Sequence, residues 1–392
     1  MRRSIFHKSC SDIAFAGLIS ICLVHLALCD SISINSRLHH FYQGTDDDLG
    51  FESSGKVEIR SKTNLDQLGI WKNAALTISA EYNFGSSFNN KGGVMMPVNL
   101  GSLYPGESGS DRFDIPSFYI TKRVGKTDAL MIGKLNMLEF TIRRGSGGAG
   151  TDYFQNIALV APPSGLMPAY ILGAMYAGRT PKFNYTVMIF DPNSAVNKSG
   201  LEDPFTDGVT GMVGINFPVK IGGRQGFQGF KVLYSTKDGD DLEDVFLAIA
   251  DEARGKKQDR YFVGYTFKNF IYKNPDTKDG GWGIFGQVGM SDGNPSKLDY
   301  SFVVGIGGDS LTAARPQDRW GIGYYRYSVS DSLIEGLGVI GQGIENEYGI
   351  EVFYNFQVTP WLNITADFQY IDPVIKSKDN ISIFGIRTSL SY

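Results

Sequence analysis

The sequence predicts an all-β fold, a transmembrane antiparallel β-barrel of about 16 strands with one long external loop that folds inward. Residues 381–392, from Ile381 to Tyr392, and the hairpin 350–370 around Trp361 alternate apolar with small or polar side chains. This alternation puts one strand face in an apolar medium and the other in water. No window after residue 29 is apolar enough for a membrane-spanning helix, so the chain would cross a membrane with strands. A half-buried sheet of a soluble protein would alternate in the same way.

The N-terminus has the parts of a secretory signal peptide. Arg2, Arg3 and Lys8 precede an apolar stretch over 13–28, which ends just before Asp30. The stretch is short for a membrane span of about 20 residues and is interrupted by polar residues, so cleavage is favoured over an uncleaved anchor. We predict a signal peptide over 1–29 and one outer-membrane barrel domain over 30–392, since no linker divides the remainder.

Composition excludes several kinds of site. All three cysteines lie within residues 1–29, and of the four histidines only His39 and His40 follow. Disulfides, thiolate nucleophiles and Cys/His zinc sites are thereby excluded from the mature chain, and we predict no cofactor and no metal. The whole chain has a net charge of −4, and removing the three basic residues and one acidic residue of its first 29 leaves −6. This charge argues against nucleic acid as a partner.

Alternating segments recur along the chain, separated by connections rich in Gly, Asn and Asp. Fifteen of them are predicted as strands: 55–61, 75–82, 113–123, 129–136, 169–177, 183–190, 209–217, 228–235, 260–270, 281–289, 300–307, 319–327, 349–358, 362–371 and 381–392. A single-chain barrel with both ends in the periplasm needs an even number of strands. We therefore predict one further, weak strand between Ser31 and Gln43.

The strand count also predicts the two sides of the barrel. If the last strand runs towards the periplasm, the turn at 359–361 is periplasmic and the connection 372–380 is external. Counting backwards makes external the connections 328–348, 236–259, 191–208 and 85–112, which are long and rich in Gly, Asp, Asn and Ser. Most of the connections on the other side are shorter, an asymmetry typical of transmembrane barrels.

The segment 137–168 is one long external connection. It contains RRGSGGAG at 143–150 and DYFQN at 152–156. The glycine run has neither the Gly-Lys-Ser/Thr sequence nor the strand-to-helix context of a phosphate-binding loop. A connection of this length without structure of its own is usually functional, so we predict that it folds inward to narrow a pore. A flexible surface loop with solvated arginines is the alternative.

Several segments resemble, in order along the chain, the carbohydrate-selective porin (OprB) family of Gram-negative outer membranes. The most specific is EVFYNFQVTPW at 351–361, and the looser ones are GKLNMLE at 133–139, DYFQN at 152–156, DPN at 191–193, GWGIFGQ at 281–287 and GIGG at 305–308. The resemblance extends over nearly all of the predicted mature chain. The family pattern usually has Asp where this chain has Glu139, and the glycine-rich segment is particular to this chain, so no sugar preference is carried over.

The resemblance implies a sixteen-stranded barrel, monomeric or homotrimeric, through which small sugars cross the outer membrane by facilitated diffusion. It also implies a constriction lined by arginine, acidic and aromatic side chains. We predict as partners the sugar substrate, outer-membrane lipid and the barrel-assembly machinery, which would recognise the C-terminal strand from Ile381 to Tyr392. Both termini are predicted to be periplasmic.

A sugar presents hydroxyls at its edge and weakly polar C–H groups on its faces, so a selective channel needs donors, acceptors and aromatic surface. Arg143 and Arg144 on the inward loop are candidate donors, with Asp152 as an acceptor. Inward wall positions of a wide barrel are expected to be polar, and strand parity places there Glu58, Arg60, Glu81, Arg123, Gln287, Glu351, Asp367 and Arg387, with Tyr325 and Tyr327 as stacking surface. The alternative for each wall residue is a solvated lining or a structural ion pair.

Three other functions stay open at this level. A general, non-selective diffusion porin would have the same barrel. An outer-membrane hydrolase would need a nucleophile and a base, for which only His39 and His40 are available as histidines, so we predict that the protein is not an enzyme. A surface adhesin or soluble secreted β-protein would differ from both porins in being soluble without detergent.

Overall fold

The chain folds as one closed barrel of antiparallel strands. The computed structural model describes residues 31–46, 49–102, 111–140, 150–161, 164–244, 255–274, 280–309, 311–312 and 314–392. The sixteen barrel strands are β1 Ile32–Thr45, β2 Phe51–Asn64, β3 Ala74–Gly85, β4 Arg112–Val124, β5 Asp128–Asn136, β6 Tyr170–Arg179, β7 Asn184–Phe190, β8 Thr210–Ile221, β9 Arg224–Ser235, β10 Arg260–Lys273, β11 Gly281–Ser291, β12 Leu298–Asp309, β13 Arg319–Val329, β14 Glu347–Thr359, β15 Leu362–Asp372 and β16 Ile381–Ser391.

The first and last strands close the barrel by pairing with each other. Their register runs from Arg37 opposite Ser391 to Thr45 opposite Ile383. The predicted weak strand is β1, which has 14 residues and pairs with β2 on its other edge. All sixteen predicted strands are therefore confirmed, and closure leaves no unpaired edge among the sixteen barrel strands.

The two faces of the wall differ as the alternation predicts. On β16, Phe384 and Ile386 are more than half exposed, whereas Arg387 between Ile386 and Thr388 is fully buried. Outward apolar side chains occur on strands all round the barrel, including Phe118, Ile132, Ile189, Val213, Val232, Val263, Val288, Phe302, Ile322, Val352 and Ile364. Such an outward face is suited to lipid.

The inward face corrects one expectation, because part of it is apolar. A buried cluster on the inside of β5 to β10 contains Leu135, Met175, Met188, Met212, Leu233 and Phe262. Leu166 and Met167 of the long connection pack against this cluster. Inward positions are expected to be polar only where water reaches them. Here residues of the long connection cover the wall, so apolar side chains are buried there.

The five longest connections all lie at one end of the barrel, which confirms the predicted asymmetry. One end, here called the long-loop end, has the connections 86–111, 137–169, 191–209, 236–259 and 330–346. The other end has the termini and the short turns 125–127, 180–183, 222–223 and 360–361. Two short helices lie at the long-loop end, α1 Ile157–Val160, capped by Asn156, and α2 Asp331–Gly338, capped by Ser330. Within the described ranges, neither helix is long and apolar enough to cross a membrane.

Candidate functional site

The segment 150–161 of the long connection lies inside the barrel, as predicted, and packs on the inner wall. The Phe154 ring is fully buried, with its centroid 4.8 Å from that of Phe353 and 5.7 Å from that of Phe285. A Cβ atom on Gly321 would lie 2.6 Å from Phe154 Cζ. The wall therefore has a glycine where the loop approaches most closely, and a larger side chain there would displace the ring.

Two buried ionisable side chains of the wall hold the backbone of this segment. Glu351 accepts hydrogen bonds from the N–H groups of Gln155, at 2.5 Å, and Asn156, at 2.9 Å. Arg387 donates to the carbonyl oxygens of Gly150, at 2.7 Å, and Tyr153, at 3.1 Å. Because these backbone groups are buried, the two side chains satisfy donors and acceptors that water does not reach.

A second segment, 86–102, also enters the barrel. Phe88, Val94 and Val98 pack against Ile371 and other residues at the long-loop ends of β15 and β16. The two inward segments contact each other, since the Leu100 N–H donates to the Gln155 carbonyl at 2.8 Å. The sequence predicts inward folding for 137–168 alone. The burial of 86–102 therefore shows that two connections, rather than one, narrow the lumen.

Asp152 links the inward loop to two separated parts of the wall. Its carboxylate accepts from Arg319 of β13 at 2.7 Å and from Arg37 of β1 at 3.2 Å, and three strands lie between β13 and β1 in the barrel. Burial by itself would raise the pKa of Asp152, but Arg319 and Arg37 outweigh it and hold that pKa below its usual range. Asp152 is thus an ionised bridge at the edge of the loop.

Between the two inward segments and the wall strands β1 to β3 there is a polar cavity of about 260 Å³. It is lined by three basic and four acidic side chains together with amides, hydroxyls and a few apolar groups. The lining residues are Asn35, Arg37, Lys56, Glu58, Ile59, Arg60, Ser79, Glu81, Asn83, Leu100, Gly101, Asn136, Leu138, Glu139, Thr151, Asp152 and Tyr170.

The charges of the cavity are arranged in pairs. Lys56 Nζ lies 2.6 Å from Glu58 and 3.8 Å from Glu81, and the Tyr170 hydroxyl donates to Glu81 at 3.1 Å. Arg60 lies 2.8 Å from Glu139 of the inward connection. Adjacent antiparallel strands bring Glu58 directly opposite Glu81, so the basic partners also offset repulsion between like charges. The result is a polar surface with little net charge.

Glu139, on the inward connection, is a carboxylate of the cavity whose surroundings disfavour its charge. Burial raises its pKa and the nearby Glu58 adds to this, whereas Arg60, Ser117 and Ser79 oppose it, leaving the pKa above that of an ordinary glutamate. Glu139 should therefore take up a proton at a higher pH than Asp152, whose pKa is lowered.

This order of protonation predicts a pH step in ion selectivity. As the pH falls from neutral, loss of the Glu139 charge should lower the permeability of cations relative to anions while Asp152 stays ionised. The zero-current potential across a KCl gradient measures this ratio. We expect the step to be absent in Glu139→Gln and retained in Asp152→Asn, and a step that survives in Glu139→Gln would assign the titration to another group.

The structure brings four of the predicted site residues together and places the others elsewhere. Glu58, Arg60, Glu81 and Asp152 line the cavity. Seven others lie apart from the cavity. Glu351 and Arg387 contact the loop backbone, Asp367 is buried beside Gln369, Tyr325 donates to Glu347 as does Tyr327, Gln287 donates to the Ala158 carbonyl, and Arg123 is exposed at the end of β4 near the short turns. Arg143 and Arg144 lie outside the described residues.

The sequence reasoning missed Arg37, Lys56 and Glu139. Lys56 shares the parity of Glu58 and Arg60 and could have been found from that signal. Arg37 lies on the strand that was inferred from the count alone, so its parity was not assigned. Glu139 stands at a position marked by the family resemblance, but its contact with Arg60 depends on the path of the connection. In the part of the chain that the structure describes, no three His, Cys, Asp or Glu side chains form a metal-binding group.

Comparison with known proteins agrees with this architecture. Porin AaxA of Chlamydia pneumoniae is 26% identical over 110 residues, which are 28% of this chain and 24% of that protein, so the match spans about a quarter of its length. The high-pH structure of Pseudomonas putida OprB is similar with a TM-score of 0.77 at 18% identity, covering 92% of this chain and 94% of that one. The low-pH structure gives a TM-score of 0.55 at 16% identity, covering 92% and 93%.

At sequence identities of 18% and 16%, the similarity to these two structures shows a shared fold. The model of the carbohydrate-selective porin, OprB family, matches residues 50–392. The predicted membership of this porin family is confirmed by that match, and the fold and family are those of a channel. This chain belongs to the carbohydrate-selective porin (OprB) family.

Proposed function

We propose that small sugars diffuse through the cavity beside β1 to β3, and that this cavity is the selective constriction of the channel. The observation that supports it most directly is the paired lining, in which basic and acidic side chains alternate with amides and hydroxyls. A sugar hydroxyl both donates and accepts hydrogen bonds, so such a lining matches it.

Passage requires binding that is weak enough for release. The cavity volume of about 260 Å³ fits one small solute rather than a long chain. Tyr170 lines the cavity, and the Tyr119 hydroxyl accepts from the lining residue Arg60 at 3.0 Å. The Tyr170 ring is the candidate for contact with the C–H faces of the sugar.

Single-channel current in a planar bilayer tests this function. We expect stepwise conductance in simple salt that glucose or another small sugar blocks saturably. Open steps that no sugar blocks would identify a general diffusion porin, and failure to insert would contradict a channel function altogether. The matched variant is Glu58→Gln with Arg60→Gln, which removes one charge of each sign from the cavity and should weaken the sugar block while stepwise insertion continues.

We propose that Arg143 and Arg144 donate to sugar hydroxyls from the same connection that supplies Glu139 and Asp152. Support comes from their position in sequence between these two cavity residues. Sugar flux and conductance should fall or change in an Arg143→Ala, Arg144→Ala double variant, and unchanged values of both would contradict the proposal.

We propose that the protein has no catalytic activity. His39 lies between Ser389, with Nδ1 2.8 Å from Oγ, and Glu58, with Nε2 3.2 Å from Oε2. These three residue types occur in hydrolase triads, but His39 and Ser389 are buried and neither lines the cavity. A structural network is therefore favoured. Detectable ester hydrolysis that is lost in Ser389→Ala would overturn this assignment.

We propose that residues 1–29 are removed as a signal peptide, that both termini face the periplasm and that the long loops face outwards. The greater length of the connections at the long-loop end supports this orientation. The assembly machinery would recognise the strand that ends at Tyr392, and deletion of Tyr392 should lower the amount of assembled barrel.

The barrel is proposed to be a monomer or a homotrimer. The mass of the detergent-solubilised protein distinguishes these two states.

A further inference from the structure

Within the cavity, arginine side chains are more accessible than carboxylates. Arg37 and Arg60 have side chains that are 41% and 44% exposed. The acidic side chains lie deeper, with exposures of 27% for Glu58, 15% for Glu139, 13% for Asp152 and 7% for Glu81. A solute in the cavity therefore meets guanidinium groups first, although acidic residues outnumber basic ones in the lining.

The carboxylates are already engaged by the protein. Glu58 contacts Lys56 and His39, and Asp152 contacts Arg37 and Arg319. Glu139 faces Arg60 and accepts from Ser117 at 3.0 Å, and Glu81 accepts from Tyr170. Their charges are thus compensated by neighbours, which leaves them less able to attract a cationic solute.

The arginines, by contrast, keep N–H donors beyond those used in their ion pairs. Arg37 donates from Nη1 to Asp152, and Arg60 uses Nη1 for Glu139 and Nη2 for Tyr119. A guanidinium carries five N–H donors. Among the residues that the structure describes, Nε and Nη2 of Arg37 and Nε of Arg60 have no hydrogen-bond acceptor.

The two arginines are diagonal neighbours on adjacent strands. Arg37 is opposite Glu58 and Asn35 is opposite Arg60, a relation that separates residues by about 7–8 Å in an antiparallel pair. This spacing lets two guanidinium groups approach one small ring from two directions. The planar fork of each guanidinium matches a carboxylate, to which it can donate two parallel bonds.

We propose that the constriction favours acidic sugars, and that a sugar bearing a carboxylate, such as a uronate, binds between Arg37 and Arg60 more tightly than the neutral sugar of the same size. The proposal rests on the proposed function, because it names the substrate class of the same cavity. A neutral sugar would use the same donors through single hydrogen bonds to its hydroxyls.

Three sugars of one ring size test the proposal in the full-length protein in planar bilayers. Glucose is neutral, glucuronate carries a carboxylate and glucosamine carries an ammonium group. The concentration of glucuronate that half-blocks the current should be about fivefold lower than that of glucose, because charge-assisted hydrogen bonds are roughly twice as strong as neutral ones. Glucosamine should block least. The advantage of glucuronate should shrink as salt is raised.

The variant that tests the assignment is Arg37→Gln with Arg60→Gln, which should bring glucuronate and glucose to equal blocking concentrations. Arg224→Gln is the matched control, because Arg224 is exposed at the start of β9 beside the 222–223 turn, and it should keep the preference. Heat-modifiable electrophoretic mobility shows whether each variant forms a barrel. If the double variant does not assemble, the salt dependence of the glucuronate block in the unmodified protein still tests whether a charged group of the channel binds the carboxylate.

The outcomes separate the two proposals. Block by glucose with no tighter block by glucuronate would overturn the acidic-sugar proposal and leave the sugar channel intact. Tightest block by glucosamine would also overturn it and would show that the carboxylates dominate. Absence of block by all three sugars would overturn the sugar constriction itself, and the acidic-sugar proposal with it.

Discussion

Arg387→Leu is expected to release the inward segment 150–161 from the wall and to raise the single-channel conductance. The arginine is fully buried and donates to the carbonyl oxygens of Gly150 and Tyr153, on either side of Asp152. Each buried carbonyl left without a donor costs about 1–3 kcal/mol, and leucine supplies none. Asp152 would then lose its fixed position in the cavity, so sugar block should weaken as conductance rises.

Two further variants make this result interpretable. Arg387→Lys keeps the charge, but one ammonium group cannot reproduce the planar fork that reaches both carbonyls, so its conductance should lie between those of the unmodified protein and Arg387→Leu. Arg224→Leu is the surface control and should change neither quantity. Normal conductance and normal sugar block in a folded Arg387→Leu barrel would show that the loop does not depend on this contact.

Phe154→Ala is expected to produce a similar opening by removing the apolar centre of the loop. The ring is fully buried against Phe285 and Phe353, and truncation of a buried phenylalanine to alanine typically costs about 3–5 kcal/mol. The backbone ladder of the barrel does not include Phe154, so the cost falls on the docking of the loop. Conductance should rise and sugar block should weaken while heat-modifiable mobility is kept.

Phe154→Leu is the matched control, because leucine retains most of the buried apolar area and should cost less. The double variant Phe154→Ala, Arg387→Leu tests whether both residues hold the same element. Once one substitution has released the loop, the other removes few remaining contacts between the loop and the wall. The two increases in conductance should therefore be less than additive. Fully additive changes in conductance would indicate two independent openings.

Much of the barrel could be predicted because strand alternation is a local property. The alternation of the hairpin 350–370 predicts one face in an apolar medium, and its apolar residues Ile350, Val352 and Phe356 are exposed, while Glu351, predicted to face inwards, is buried. The strand β1 was the hardest to recognise. Its outward face mixes Ser36 and His40 with Leu38 and Tyr42, so its alternation is weak and only the even count required it.

The cavity could be predicted in part. Glu58, Arg60 and Glu81 share one parity on neighbouring strands, so their proximity follows from sheet geometry. Arg387 and Glu351 have the same inward parity but are covered by the loop. Parity does not distinguish a side chain that faces water from one that faces another segment of the chain.

The closed barrel, the orientation of its wall residues and the unequal connections at its two ends could all be predicted from the sequence, because each depends on a period of two residues and on the strand count. Which inward residues line open space could not be predicted in this way. That depends on contacts such as those of Glu351 with Gln155, 196 residues away, and of Arg387 with Gly150, 237 residues away. Local pattern carries no information about which distant segment fills the lumen, so the cavity beside β1 to β3 follows from the path of the two inward connections.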